Sequence, residues 1–588
     1  MTTEVSSSPT WTPSHPDGVL HVPQAGGRAD ESLDPIVVEL IRNGLNSAAE
    51  QMKQALVRTS FSPIVYDVLD FAAALYDRDV NLMAQAPSLA LFMGTMDACV
   101  ESSVAAVGGV DALEAGDMIV TTDPYATGSH PQDGAIVMPI FVDRDLIGYA
   151  AIKAHWLDFG AKAPYCSDTI DVYQEGTIIP GVKLYRAGER DESIWRIIRA
   201  NTRVPDFLSG DLNAQIVGVR TGAAAVGALV RRHGVEAFGA ALQRIYETSE
   251  EHMRGALAAI ADGRYVGRNQ LDSDGVNEGT IPFEVSFEIR SDDCLVDFSA
   301  APDAVGGPVN CPLPSTISAA RLVLTLLAAG GEPPNAGHFR PIAVATRPGS
   351  IFDPRSPSPV YLYGWLAVQA CEALLRGFGE AEPERAVASS GADLMALTWW
   401  GRREETGEYW LDGTPYPTGQ GAAATGDGGI NMHLIENSAQ FESIEICEAK
   451  NPLRFERFEL APDSAGPGRQ RGGLGIDMAI RFLADAETTV IVERTLEPPA
   501  GIAGGGPARP NDGNMEWPDG SREHVVKATN LKVPKGSCFH GTIAGGGGYG
   551  PPAERDLDAI HADLDGGYLT EEHVRTHYPQ AAGLLDRR

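Results

Sequence analysis

The sequence predicts a multidomain protein of mixed α/β class, with mixed sheets, helices and a glycine-rich, β-rich C-terminal part. Three observations predict it. In the first 265 residues, strand-like runs alternate with segments of helical spacing. From Pro205 to Gly263 the chain is rich in Ala and Leu and has few breakers, as long helices require. After Gly413 it becomes rich in glycine and in short alternating segments. A chain of 588 residues is too long for one hydrophobic core, so several domains are expected.

Asp34-Pro35 opens the first strong helix, a capping residue followed by Pro at the first helical position. Ile36, Val37, Leu40, Ile41, Leu45, Ala48, Met52 and Leu56 follow at helical spacing. Phe71 to Tyr76, 117–122, 135–142 and 146–154 read as strands, the last two joined by a hairpin loop at Asp143-Arg144-Asp145. The segments 283–289 and 294–300 alternate as strands, and helices are expected over about 315–329 and 361–376. The segments 456–462, 477–484 and 488–494 read as an antiparallel sheet. These shifts divide the chain into a disordered tail (1–32), an α/β domain carrying the candidate site (33–265), a middle α/β domain (266–420), a glycine-rich β-rich domain (421–552) and a charged arm (553–588).

The net charge of −33 repels phosphate backbones, which argues against nucleic acid as a partner. No run of 18 apolar residues appears, so no transmembrane helix is expected, and the first 32 residues lack an apolar signal core. The seven scattered cysteines, with no C-x-x-C, argue against a disulfide framework or a thiolate zinc site, and a cytoplasmic location fits them best. The glycine-rich stretches 419–429, 501–507 and 543–552 lack the phosphate-loop pattern and read as tight turns and close backbone packing.

Two short segments carry the chemistry. In TDPYATGSHPQDG, His130 stands three residues before Asp133; in KAHWLD, His155 stands three residues before Asp158. Asp70 precedes the strand-like run Phe71 to Tyr76. Two imidazoles with nearby carboxylates at strand ends form a candidate divalent-metal site, zinc by the imidazoles and manganese by the carboxylates. The competing reading is a set of solvated polar groups and turn caps.

The order of segments resembles the hydantoinase B/oxoprolinase family. The matching runs include RTSFSPIVYDVLDFAAALYD (58–77), GDMIVTTDPYATGSHPQD (116–133), AHWLDFGA (154–161), VYQEGTIIPGVKLYRAGE (172–189), ANTRVPDFLSGDLNAQ (200–215), PNAGHFRPI (334–342) and PLRFERFELAPDSAGPGRQRGGLG (452–475). The resemblance implies the metal-bearing subunit of an ATP-dependent amidohydrolase that opens a hydantoin, oxoproline or lactam ring. A hydantoinase A-type ATPase partner, using ATP and Mg, would phosphorylate the carbonyl oxygen. Alternatives are a subunit of an acetone- or acetophenone-type ketone carboxylase and a non-catalytic scaffold. Asp70, His130, Asp133 and His155 are the implied ligands, and Asp158 is a further ligand or an orienter of an imidazole. Relatives often carry G-G-T-H-L-P-D where this chain has Thr127 to Asp133 as TGSHPQD, a departure that bears on the substrate more than on the metal.

Glu175 is a candidate general base, with an ion pair to Lys183 or Arg186 as the alternative. Asn201, Arg203 and Asp211 read as pocket residues or helix caps, Asp123 as a turn residue and Arg340 as a candidate phosphate contact.

Overall fold

A cap and a proline start the first long helix, as their residue types require. In the computed structural model, which describes residues 11–23 and 33–585 except 329, 392–394, 417, 431–439 and 441, the Asp34 side chain accepts from the Ile36 amide and Pro35 opens helix Pro35–Thr59. Ile41, Leu45, Ala48, Met52 and Leu56 form its buried stripe. Ile36 and Leu40 were expected on that face but are 67% and 48% exposed, because they fall one residue out of step with it.

The helix lies beside Pro205–His233, which packs on a seven-stranded antiparallel sheet. The strand order is Leu82–Gln85, Phe71–Asp77, Asp145–His155, Asp133–Val142, Met118–Thr121, Val182–Arg186 and Glu189–Arg190. Its central strands are apolar on both faces and covered on both, which is why they read as continuous hydrophobic runs.

A second sheet orders Val19–His21, Ile342–Thr346, Asp293–Asp297, Ile281–Arg290 and Gly263–Leu271. The strand Val19–His21 falls in the segment expected to be a disordered tail. It pairs along Ile342–Thr346, and the Ser14 amide donates to Asp297 at 2.7 Å, so ladder and side-chain bonds hold it. Residues 1–10 and 24–32 of that segment lie outside the described residues. Helix Tyr363–Ala381 packs across Gly263–Leu271.

Two further sheets face each other over Met395, Leu397, Trp399, Met478, Ile480 and Phe539. One orders Tyr409–Tyr416, Met395–Arg402, Ala486–Ile491 and Lys527–Val533; the other Leu453–Leu460, Ile476–Phe482, Cys538–Thr542, Asp512–Glu516 and Arg522–His524. The hairpin at 395–416 was expected in the middle domain. It belongs here, because Ala396 pairs with Ile491. The glycine-rich stretches stack against one another as bare backbone: a Cβ at Gly421 would strike the Ala388 carbonyl, and one at Gly546 the Gln420 carbonyl.

All seven cysteines are buried, and none of them forms a disulfide among the described residues. No helix among the described residues is long and apolar enough to cross a membrane.

The charged arm folds back onto the glycine-rich layers. Helices Leu557–Asp565 and Glu571–His577 share a small core of Ile560, Val574 and Tyr578. Arg555 ties it down, donating to both Asp427 oxygens at 2.7 and 2.8 Å and to Asp563 at 2.7 Å. Removing one partner of a buried ion network leaves carboxylates uncompensated and costs about 3–5 kcal/mol. Arg555→Met should therefore expose residues 556–585 to limited proteolysis while the rest of the chain stays resistant; equal resistance of variant and wild type would refute the clamp.

Candidate metal centre

Strand register builds the site. Asp133 is the first residue of Asp133–Val142 and His155 the last of Asp145–His155, and the two face each other across the ladder. On the other side of the same strand Phe71 pairs with Ala154, and the His155 amide donates to the Asp70 carbonyl at 3.1 Å. Three neighbouring strand ends therefore deliver Asp70, His155 and Asp133 to one place, and the turn before Asp133 adds His130.

The side chains of His130, Asp133 and His155 are buried, not solvated. His130 Nε2 lies 3.0 Å from His155 Nδ1 and 3.2 Å from Asp133 Oδ1, and His155 Nδ1 lies 3.0 Å from Asp133 Oδ1. The other His130 nitrogen, Nδ1, faces the Tyr361 carbonyl at 3.0 Å. A carbonyl only accepts, so Nδ1 carries a proton, and Nε2 is the His130 nitrogen that could ligate a cation. Three donor atoms thus converge on one point. Ligands of one tetrahedral zinc ion lie about 3.3 Å apart, so the trio fits a divalent cation in spacing and chemistry. Burial alone would raise the Asp133 carboxyl, but the two imidazoles reverse this and hold it well below the usual carboxylate range.

Asp70 lines the same cavity as His130 and His155 but stands outside the trio. Asp158 and Glu175 do not line it. Asp158 is buried against Arg203, pairing with its guanidinium and accepting from its backbone amide at 2.5 Å. Glu175 is wholly buried; its Oε1 accepts from Thr169 Oγ1 at 2.8 Å and from the Val360 and Tyr361 amides at 2.8 and 2.9 Å. The Tyr361 peptide therefore links Glu175 on its N–H side to His130 on its carbonyl side. Lys183 pairs with Asp117, and Arg340 with Glu250. Asp123 caps the turn Pro124–Thr127, Asn201 donates to the Ile197 carbonyl, and Asp211 accepts from the Phe61 and Ser62 amides.

The sequence reading missed Lys153 and the aromatic run Tyr361, Tyr363 and Trp365. Lys153 is wholly buried two residues before His155 and donates to Thr95 Oγ1 at 2.7 Å and to the Thr127 carbonyl at 2.9 Å, bracing the turn that carries His130. Burial lowers its ammonium to about 8. Its signal was a lysine inside an otherwise apolar strand. Gln215 of Pro205–His233 donates to the Gly134 carbonyl at 2.8 Å and accepts from Trp156 at 2.9 Å, pinning the same strand ends from the helix side.

The cavity, about 100 Å³, is lined by three parts of the chain: residues between Ile64 and Tyr165, among them Asp70 and His155 at the ends of strands of the first sheet, Tyr361 to Val368 at the start of the helix Tyr363–Ala381, and residues 396–398 and 413–415 of the later hairpin.

The model of the hydantoinase B/oxoprolinase family matches residues 34–552. The chain belongs to that family. It is 28% identical to the B-type component of a putative D-/L-hydantoinase of Pseudomonas sp. (strain NS671), over 93% of this chain and 95% of that protein. It is also 28% identical to the beta subunit of the caprolactamase of Pseudomonas jessenii, over 93% and 96% of the two chains. The crystal structure of the ATP-dependent caprolactamase superposes with a TM-score of 0.86. Acetone carboxylase shares the fold, with a TM-score of 0.83 at 19% identity over 93% of this chain and 79% of its own.

The purified chain should bind about one divalent ion, measured by elemental analysis. His130→Ala or His155→Ala should abolish that binding with unchanged circular dichroism, and Glu175→Ala should weaken it by about 10–100-fold through the Tyr361 peptide. Retained metal in both histidine variants would overturn the assignment. Stability should also depend on pH through Glu175. Burial pushes its carboxyl up to about 8 from its ordinary 4.5, so between those values the folded chain keeps a proton that the unfolded chain has released. Its contribution to stability falls as pH rises through that window. Glu175→Gln keeps the Oε1 acceptor and removes the titration. Its stability relative to wild type should rise between about pH 5 and pH 8 in urea unfolding; a constant difference would exclude the linkage.

Proposed function

We propose that this chain is the metal-bearing catalytic subunit of an ATP-dependent amidohydrolase that opens a cyclic amide after a partner ATPase subunit has phosphorylated the carbonyl oxygen. The observation that carries the reading is the buried trio of His130, Asp133 and His155, two of whose members, His130 and His155, line a cavity, in a chain that matches hydantoinase and caprolactamase subunits over 93% of its length. His130, Asp133 and His155 hold the cation, with Asp70 beside them. When bound, a divalent ion supplies Lewis acidity, polarising a carbonyl or phosphoryl oxygen and lowering the pKa of water.

The chain's own residues supply the rest. The Tyr361 carbonyl keeps the Nδ1 proton on His130 and so keeps Nε2 free to ligate. Glu175 holds that peptide in place, and Asp158, through Arg203, fixes the loop that follows His155. Both are positioning residues. Tyr363 O–H donates to Asp133 Oδ2 at 3.4 Å. Leu89, Phe92, Leu157 and Val368 shield the cavity from bulk water, which strengthens every electrostatic contact within it.

The chain with its partner, ATP and a panel of cyclic amides should release ring-opened product with ATP consumed and without bicarbonate. The same mixture with ketones and labelled bicarbonate should fix no label. Label recovered in a keto acid would replace this reading with ketone carboxylation, and turnover of a cyclic amide by the chain alone, without ATP, would refute the division of labour.

A further inference from the structure

The charge of the cavity wall selects among cyclic amides. Twenty-one of the described residues line it, and none of these is lysine or arginine. The nearest buried cation of the strand, Lys153, is sequestered: its ammonium lies 4.1 Å over the Phe92 ring and is spent on Thr95 and Thr127. Asp70 and Asp133 already balance the formal charge of a divalent ion, and the chain as a whole carries −33. A carboxylate brought into this cavity would lose its water and meet no lysine or arginine among the described lining residues, and the charge of a bound ion is already balanced by Asp70 and Asp133, so its burial would be costly.

An indole N–H in the wall has no acceptor among the described residues. Trp365 is 6% exposed, and its Nε1 is buried with no acceptor. By contrast the Tyr361 hydroxyl is spent on the Pro164 carbonyl at 3.0 Å and the Thr414 hydroxyl on the Pro415 carbonyl at 3.2 Å. A buried indole N–H without an acceptor costs free energy in the empty protein that a ligand oxygen recovers on binding.

We infer that the cavity takes small uncharged rings and rejects those bearing a carboxylate, and that Trp365 Nε1 donates to a second acceptor on the ring, beyond the carbonyl directed at the metal trio. This inference rests on the amidohydrolase reading for its ligand class and narrows it: hydantoins and simple lactams fit, 5-oxoproline does not.

Binding to the zinc-loaded full chain, read by calorimetry and ligand-observed NMR, tests it without turnover. 2-Pyrrolidinone and 5-oxoproline differ only in the carboxylate, and the methyl ester of 5-oxoproline controls for size. The lactam and the ester should bind at least about 100-fold more tightly than the acid. Trp365→Phe should weaken hydantoin about three- to tenfold and leave 2-pyrrolidinone within about twofold. Binding of 5-oxoproline as tight as that of its ester would overturn the charge selection and leave the hydrolase reading standing. Equal loss of both rings in Trp365→Phe, or no loss of either, would overturn the role of Trp365. Binding of acetone and acetophenone without any cyclic amide would uphold selection for uncharged ligands and refute the hydrolase reading. Binding of none of these probes would overturn both.

Discussion

The pairing of Asp133 with His155 across two antiparallel strands is the constraint on which the rest of the site depends. Register has a period of two, so a slip of one residue would turn either side chain to the opposite face. Asp70 enters through the same ladder, because Phe71 pairs with Ala154 on the other side of His155's strand. The turn that carries His130 has no ladder to fix it. It is held by the Lys153 ammonium and by Ser315, whose hydroxyl donates to the Gly128 carbonyl. A cation inside the sheet thus does for the turn what backbone pairing does for the strands.

Burial makes those supports necessary. Imidazoles and a carboxylate removed from water must be paired, because an unpaired buried polar atom costs on the order of several kcal/mol. The trio meets this by convergence, and the second nitrogen of His130 by the Tyr361 carbonyl. That peptide is tethered in turn by Glu175, whose burial keeps it protonated far above its ordinary range. A neutral acid adds no negative charge near the trio, so it can hold the peptide without drawing a cation away from its ligands.

Much of this was legible in the sequence. The hairpin strands at 135–142 and 146–154, the capped start at Asp34 and the long helices after Pro205 follow local rules of spacing and capping, and they appear within a few residues of expectation. Asp133 and His155 could be picked out because each stands at a strand end, and His130 because it stands three residues before Asp133. Lys153, Tyr361 and Trp365 could not, since their roles arise from contacts between segments distant in the chain. The same reason moved the hairpin at 395–416 out of the middle domain: strand pairing partners are chosen by tertiary register, and composition alone does not report it. Asp158 and Glu175 were legible as acids near the site, but only the fold reveals that each one faces structure and not the cavity.

The cavity is therefore a property of the whole chain. Its donors come from the first sheet, its aromatic wall from the start of Tyr363–Ala381 and its far side from the hairpin near Thr398 and Thr414. A wall drawn from three regions differs in chemistry from the trio: its described residues are mostly apolar and aromatic. In the function proposed above, the trio would act on the bond and the wall, with Trp365, would select the ring.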